Sequence, residues 1–154
     1  MIGIIGGSGI YRFFETEEKK IVKTKYGEVK IKIVGYKGKK IAFLARHGEK
    51  HTVPPHKINY RANIIALKSI GVERIIATTA VGSMNPEFKP GEFVLLKQFM
   101  DFTKKREYTL YDDKVVHVDL SEPYCPELRA VSYTHLRAHE NSLHLVCRLL
   151  LEKK

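Results

Sequence analysis

With 154 residues, 44% of them hydrophobic, the chain can form one domain with a core of moderate size, and the even spread of apolar residues argues against disorder. The formal charge of +10 comes from 27 Lys plus Arg against 17 Asp plus Glu. The lysines are scattered (Lys19, Lys20, Lys30, Lys39, Lys57, Lys104) and no basic block is interleaved with aromatics, so the surplus reads as a solvated surface that attracts small anions, with no nucleic-acid partner.

No apolar run approaches the ~18 residues of a membrane span, and the opening MIGIIGGSG has neither the basic start nor the cleavage site of a signal peptide. Two cysteines, Cys125 and Cys147, are too few for a disulfide framework and fit a reducing cytoplasm.

In chain order, Met1 to Ile5 reads as a buried strand delivering the Gly-rich turn Gly6-Gly7-Ser8-Gly9. Glu28 to Tyr36 and Lys40 to Ala45 flank Lys37-Gly38-Lys39. Val29, Ile31 and Ile33 alternate with Lys30 and Lys32, which predicts a β-hairpin with one polar face. Arg46 to Lys57 has no apolar period, holds Pro54-Pro55 and three histidines, and reads as a structured loop. Ile58 to Ile70 is the best helix, with Ala62, Ile65, Ala66 and Ile70 on one stripe and Gly71 at its end. Strands are expected at Glu73 to Thr79 (apolar enough for burial on both faces), Glu92 to Lys97 and Val115 to Val118, with a helix beginning near Ser121 to Pro126. This order predicts an α/β fold: a central mixed, largely parallel sheet flanked by helices, with an antiparallel hairpin attached.

The character changes after Ala130. VSYTHLRAHE, Val131 to Glu140, and LVCRLLLEKK, Leu145 to Lys154, resemble reading frames through DNA sequencing adaptors separated by an index-sized gap. On that resemblance residues 1–130 are the body and residues 131–154 a translated adaptor, to be left out of fold reasoning. The competing reading is a natural C-terminal helix, since Leu143, Val146, Leu149 and Leu150 share a helical face.

Three segments carry candidate chemistry. In GIIGGSG, Gly3 to Gly9, glycines allow backbone N–H groups to cradle an anion and Ser8 adds a hydroxyl; a simple tight turn is equally compatible. The dinucleotide pattern G-x-G-x-x-G is not met, which disfavours an oxidoreductase. Arg46 and His47 follow an apolar strand end, where parallel sheets collect ligands, and Arg offers a planar fork suited to phosphate. A metal held by His47, His51 and His56 ranks low, because the loop supplies neither Cys nor a paired carboxylate. TTAVGS, Thr78 to Ser83, ends a buried strand in hydroxyls and small residues. Together the three suggest one oxyanion pocket at the carboxyl edge of the sheet; Cys125 has no activating neighbour in sequence and reads as structural.

GIIGGSG at 3–9, LARHGEKHT at 44–52, NYRANIIALKSIG at 59–71, TTAVGS at 78–83 and HVDLSEPYCP at 117–126 resemble, in order, methylthioadenosine phosphorylases of the trimeric purine nucleoside phosphorylase group. The resemblance implies a single α/β domain with a mixed sheet, assembled as a homotrimer or homohexamer in the cytoplasm. It implies a pentosyltransferase that uses inorganic phosphate to convert 5'-deoxy-5'-methylthioadenosine to adenine and 5-methylthioribose 1-phosphate, in purine and methionine salvage, with no metal and no organic cofactor. It implies phosphate binding by Ser8, Arg46, His47, Thr79 and the Ala80 backbone, with Thr78 beside them and His117 lining the pocket for the 5' substituent. The acidic purine-contacting residues of such enzymes lie in a second half that has no counterpart here, so the catalytic residues are unassigned and the 154-residue chain is expected to be inactive. A 6-oxopurine nucleoside or methylthioinosine phosphorylase is the near alternative, and a non-catalytic phosphate- or nucleotide-binding module the alternative of another class.

Overall fold

The computed structural model describes residues 1–7, 16–138 and 148–152. Its strands form one seven-stranded mixed sheet in the order β2-β3-β4-β1-β5-β7-β6. They span Ile2–Gly6 (β1), Thr16–Thr24 (β2), Gly27–Tyr36 (β3), Lys39–Ala45 (β4), Arg74–Thr79 (β5), Val94–Leu95 (β6) and Arg148–Glu152 (β7), with helices at Tyr60–Ser69 (α1) and Pro126–Ala138 (α2). The centre is parallel: β1 lies between β4 and β5 and runs with both. Outside it, β2, β3 and β4 form an antiparallel meander, and β7 pairs antiparallel with β5 and parallel with β6. Gly6 is level with Ala45, and Ile5 with Ala77, so the carboxyl ends of the three central strands finish at one edge.

Alternation decides the meander. Val29, Ile31 and Ile33 on β3 are buried under α1, whose Ala62, Ala66 and Leu67 form its inner stripe. The Asn59 side chain caps α1 by accepting from the Ala62 N–H at 3.0 Å. At the other end Gly71 takes φ +85°, which a residue with a Cβ rarely adopts. Gly3 is required for a different reason: a Cβ there would stand 2.8 Å from Val72 Cγ1, so this position lets the turn after α1 close onto β1.

Several expectations need correction. The hairpin's second face is not polar, because Val34 and Phe43, 2% and 3% exposed, are buried on it. Glu92 to Lys97 contributes only the two residues of β6. Val115 to Val118 forms no strand and is exposed; β propensity needs a ladder to act through, and among the described residues no strand pairs with it. Burial of β5 on both faces holds at Ala77 and Thr78 only, Ile75 and Ile76 being half-buried. The helix toward which Ser121 to Pro126 leads begins at Pro126 as expected but is not interrupted at the Ala130–Val131 junction, and residues 148–152, for which a helical face was only the competing reading, stand in the sheet.

Candidate anion site at the strand tips

Arg46 is the first residue after β4. Its backbone N–H donates to the Gly6 carbonyl at 3.1 Å, so the first and second segments are joined where their strands end. Its guanidinium Nη2 donates to Thr79 Oγ1 at 3.0 Å, joining the third. The side chain is half-buried. One of five guanidinium donors is thereby used and the remaining fork suits an oxyanion. Having accepted from Arg46, Thr79 keeps its own hydroxyl hydrogen to donate.

The loop that follows is closed on itself. Gly48 N–H donates to Ala45, His51 N–H to Gly48 and Val53 N–H to the His47 carbonyl, at 3.0, 3.1 and 2.9 Å. His47 Nδ1 lies 2.9 Å from the Val53 carbonyl. A carbonyl only accepts, so Nδ1 carries the hydrogen and Nε2 is the nitrogen left for a ligand. Gly48 at φ +76° and His51 at φ +55° make the tight path possible, and the His47 and His51 rings lie 4.7 Å apart, tilted by 36°. Among the described residues no group of three His, Cys, Asp or Glu is placed to hold a metal ion, so His47, His51 and His56 do not form the cluster weighed from sequence.

The structure thus brings Arg46, His47 and Thr79 to one edge, with Thr78 buried behind them on β5 and Ala80 exposed just past the strand. Gly7 stands at the tip of β1, while Ser8 lies outside the described residues. His117 lies on an exposed stretch, and among the described residues no hydrogen bond, ion pair or ring contact links it to Arg46, His47 or Thr79.

Sequence reasoning passed over a second hollow, of about 390 Å³, between α1 and segment 101–110. Its cations are already engaged. Arg61 pairs with Asp112 at 2.6 Å and stacks on Tyr26 at 4.3 Å, and Arg106 donates to the Tyr60 hydroxyl at 3.0 Å. The Thr103 hydroxyl, then its backbone N–H, hold the Asp101 carboxyl below the ordinary carboxylate range. This hollow is a strapped loop, lacking the open donors of the strand tips. Its signal in sequence was the run of Tyr, Arg and Asp in 101–113, whose partners lie some fifty residues away on α1.

Comparison with known proteins supplies a frame for this geometry. Residues 1–149 match the family model described as the phosphorylase superfamily. A 6-oxopurine nucleoside phosphorylase of Pyrococcus furiosus is 57% identical over 145 residues, covering 88% of this chain and 55% of the relative. An S-methyl-5'-thioadenosine phosphorylase of the same organism is 52% identical over 133 residues, covering 84% and 52%. Among solved structures, methylthioadenosine phosphorylase from Schistosoma mansoni in complex with adenine superposes with a TM-score of 0.82 at 36% identity, covering 90% of this chain and 54% of that one. The chain spans about half the length of the relatives it matches.

Proposed function

The chain belongs to the phosphorylase superfamily, and from that premise we propose that it is the phosphate-gripping half of a purine nucleoside phosphorylase. The observation that carries the reading is the Arg46–Thr79 hydrogen bond across two strand tips, with His47 adjacent. In the proposed reaction Ser8, Arg46, His47, Thr79 and the Ala80 N–H hold inorganic phosphate, and Thr78 and His117 belong to the nucleoside side. A phosphate oxygen forms a bond to C1' of the sugar, the C1'–N bond to the purine breaks, and its electron pair leaves with the base. Phosphate is a sluggish nucleophile in water. Fixed donors strip its solvent shell, aim it, and balance its charge against an oxocarbenium-like sugar. The reaction needs phosphate as co-substrate and neither metal nor organic cofactor. The groups that protonate and recognise the purine belong to the portion of the relatives beyond this chain's match.

For the substrate, two classes are in play. The motifs resemble the methylthioadenosine enzymes, whereas the Pyrococcus relatives rank the 6-oxopurine enzyme above its methylthioadenosine counterpart, 57% against 52%. The test is a polypeptide continuing residues 1–130 to its relatives' length, assayed with inosine and with methylthioadenosine. Phosphate-dependent purine release from one of them is expected, and none from the 154-residue chain. Failure of the longer polypeptide on both substrates, or turnover by the short one, overturns the reading.

We also propose that the whole protein is a homotrimer or homohexamer. Met100, Phe102, Tyr108, Val115 and Val118 are 63–88% exposed on one stretch of chain, an apolar surface of the kind that association covers. A cytoplasmic site suits the free thiol of Cys125; among the described residues no helix is long and apolar enough to cross a membrane. Residues 131–154 we take as foreign. The thioadenosine relative leaves unmatched a share of the chain about as long as this tail, although the family model extends to residue 149. Amplifying the gene from genomic DNA tests it, and a genomic reading frame that continues through Val131 to Lys154 refutes it.

A further inference from the structure

The side chains of Arg46 and Thr79 come to the strand tips as donors. Arg46 offers the guanidinium N–H groups that Thr79 does not take, and Thr79 keeps a hydroxyl hydrogen. His47 differs from them. Its Nδ1 lies 2.9 Å from the Val53 carbonyl and so carries the ring hydrogen. In a neutral imidazole with that tautomer, Nε2 holds a lone pair and no hydrogen, and it can only accept. Nε2 has no hydrogen-bond partner among the described residues, and it is open to solvent. Among the described residues no carboxylate pairs with this ring, so the structure supplies no partner for an imidazolium there. Arg46 and His47 are the central pair of a turn that the Gly48 N–H closes on the Ala45 carbonyl at 3.0 Å. Fork and imidazole therefore leave the chain at consecutive corners, about 3.8 Å apart at their Cα atoms.

An acceptor beside donors suits an anion that still carries a hydrogen. Above neutral pH inorganic phosphate is the hydrogen phosphate dianion, with one O–H and three bare oxygens. Sulfate has the same charge and shape and no hydrogen. We propose that His47 is the residue that selects phosphate over sulfate: its Nε2 accepts from the P–O–H group, which turns the bare oxygens toward Arg46, Thr79 and the sugar. The hydrogen stays on phosphate, so this bond orients the dianion and no proton moves. Against sulfate the same lone pair faces a bare oxygen and repels it. This inference rests on the phosphate reading of the strand tips and deepens it, for it names the form of the anion that the site takes and the oxygens left free to attack.

The test is equilibrium dialysis of the 154-residue chain against radiolabelled phosphate and radiolabelled sulfate at equal ionic strength, with folding followed by circular dichroism. It is run at about pH 8, where a free imidazole is neutral. The wild-type chain should bind phosphate roughly tenfold more tightly than sulfate, as one hydrogen bond to a charged group allows. His47→Asn keeps an amide N–H able to donate to the Val53 carbonyl and has nothing at the place of Nε2. It should weaken phosphate binding about tenfold and leave sulfate unchanged or tightened, so that the preference disappears. If that variant does not fold, imidazole nitrogen-15 spectra of the wild type decide: phosphate should move the His47 Nε2 resonance toward that of a hydrogen-bonded acceptor, and sulfate should not. Equal affinity of the wild type for both anions, a preference that survives in His47→Asn, equal weakening of both anions by that change, or an Nε2 resonance indifferent to phosphate overturns the proposal and leaves the phosphate site standing. A wild-type chain that does not bind phosphate sinks both together.

Discussion

Residues 40–53 and residues 99–120 are both loop-rich and both mix apolar with charged side chains, yet they are built in different ways. The first runs from a strand whose Ala42, Phe43 and Leu44 are at most 3% exposed into a loop that satisfies its own backbone. The second leaves Met100, Phe102, Tyr108 and Val115 80% or more exposed and is held by side-chain turns such as Asp101–Thr103 and Asp119–Ser121 and by straps such as Arg61–Asp112. The first is complete with what this chain supplies. The second has the composition of a buried surface without a cover. A loop that binds a ligand is rigid where its support is local, so the proposed phosphate grip falls in the first region and the proposed association surface in the second.

Substitutions can break or sharpen that contrast. The largest effect is expected beneath the first region: Leu67→Ala, at a fully buried position of α1, costs about 2–5 kcal/mol in denaturant unfolding. Next comes Arg46→Lys, which leaves stability alone but replaces a fork by a point charge. Phosphate affinity should fall by about tenfold or more, matching the ~1.5–3 kcal/mol of a charged hydrogen bond. Gly48→Ala, at φ +76° with Val53 Cγ2 3.4 Å from the new methyl, strains the loop by about 1–2 kcal/mol, visible as a lower Tm. In the second region Phe102→Ser should change stability by no more than about 0.5 kcal/mol, while reducing self-association in sedimentation. A large destabilisation there would mean that the segment is packed after all, and the contrast would fail.

The smallest effect concerns pH. The Asp101 carboxyl lies below its ordinary value because Thr103 donates to its charged form, so the contribution of this turn is present above the ordinary carboxylate range and lost as pH falls through the lowered value. Asp101→Asn should abolish that acid-side dependence in the Thr103 amide shift and leave phosphate binding unchanged.

What was legible in the sequence follows the same division. β1, the β3–β4 hairpin, α1 and β5 announced themselves because their apolar periods are local, and Gly71 marked the end of α1; the Asn59 cap, one residue inside the expected start at Ile58, came only with the structure. The convergence of Arg46 and Thr79 was readable too, since parallel strands that flank a common neighbour must end at one edge. β2 was missed. Paired on one side only, to β3, it carries Glu and Lys where a central strand carries Val and Ile; its Ile21 is 62% exposed. Val115 to Val118 failed in the opposite sense, having strand-like residues and no ladder to join. The proposed place of His117 was not readable from its neighbours, since residues 111–120 lie exposed.

The central claim is that three strand tips share one inorganic anion. A phosphate titration of the isotope-labelled chain followed by amide chemical shifts tests it most directly. Saturable shifts at Arg46, His47, Thr79 and Ala80 sharing one dissociation constant, with residues 99–120 silent, are the predicted result. Shifts spread over the surface lysines without saturation, or no movement at Arg46 and Thr79, would contradict it.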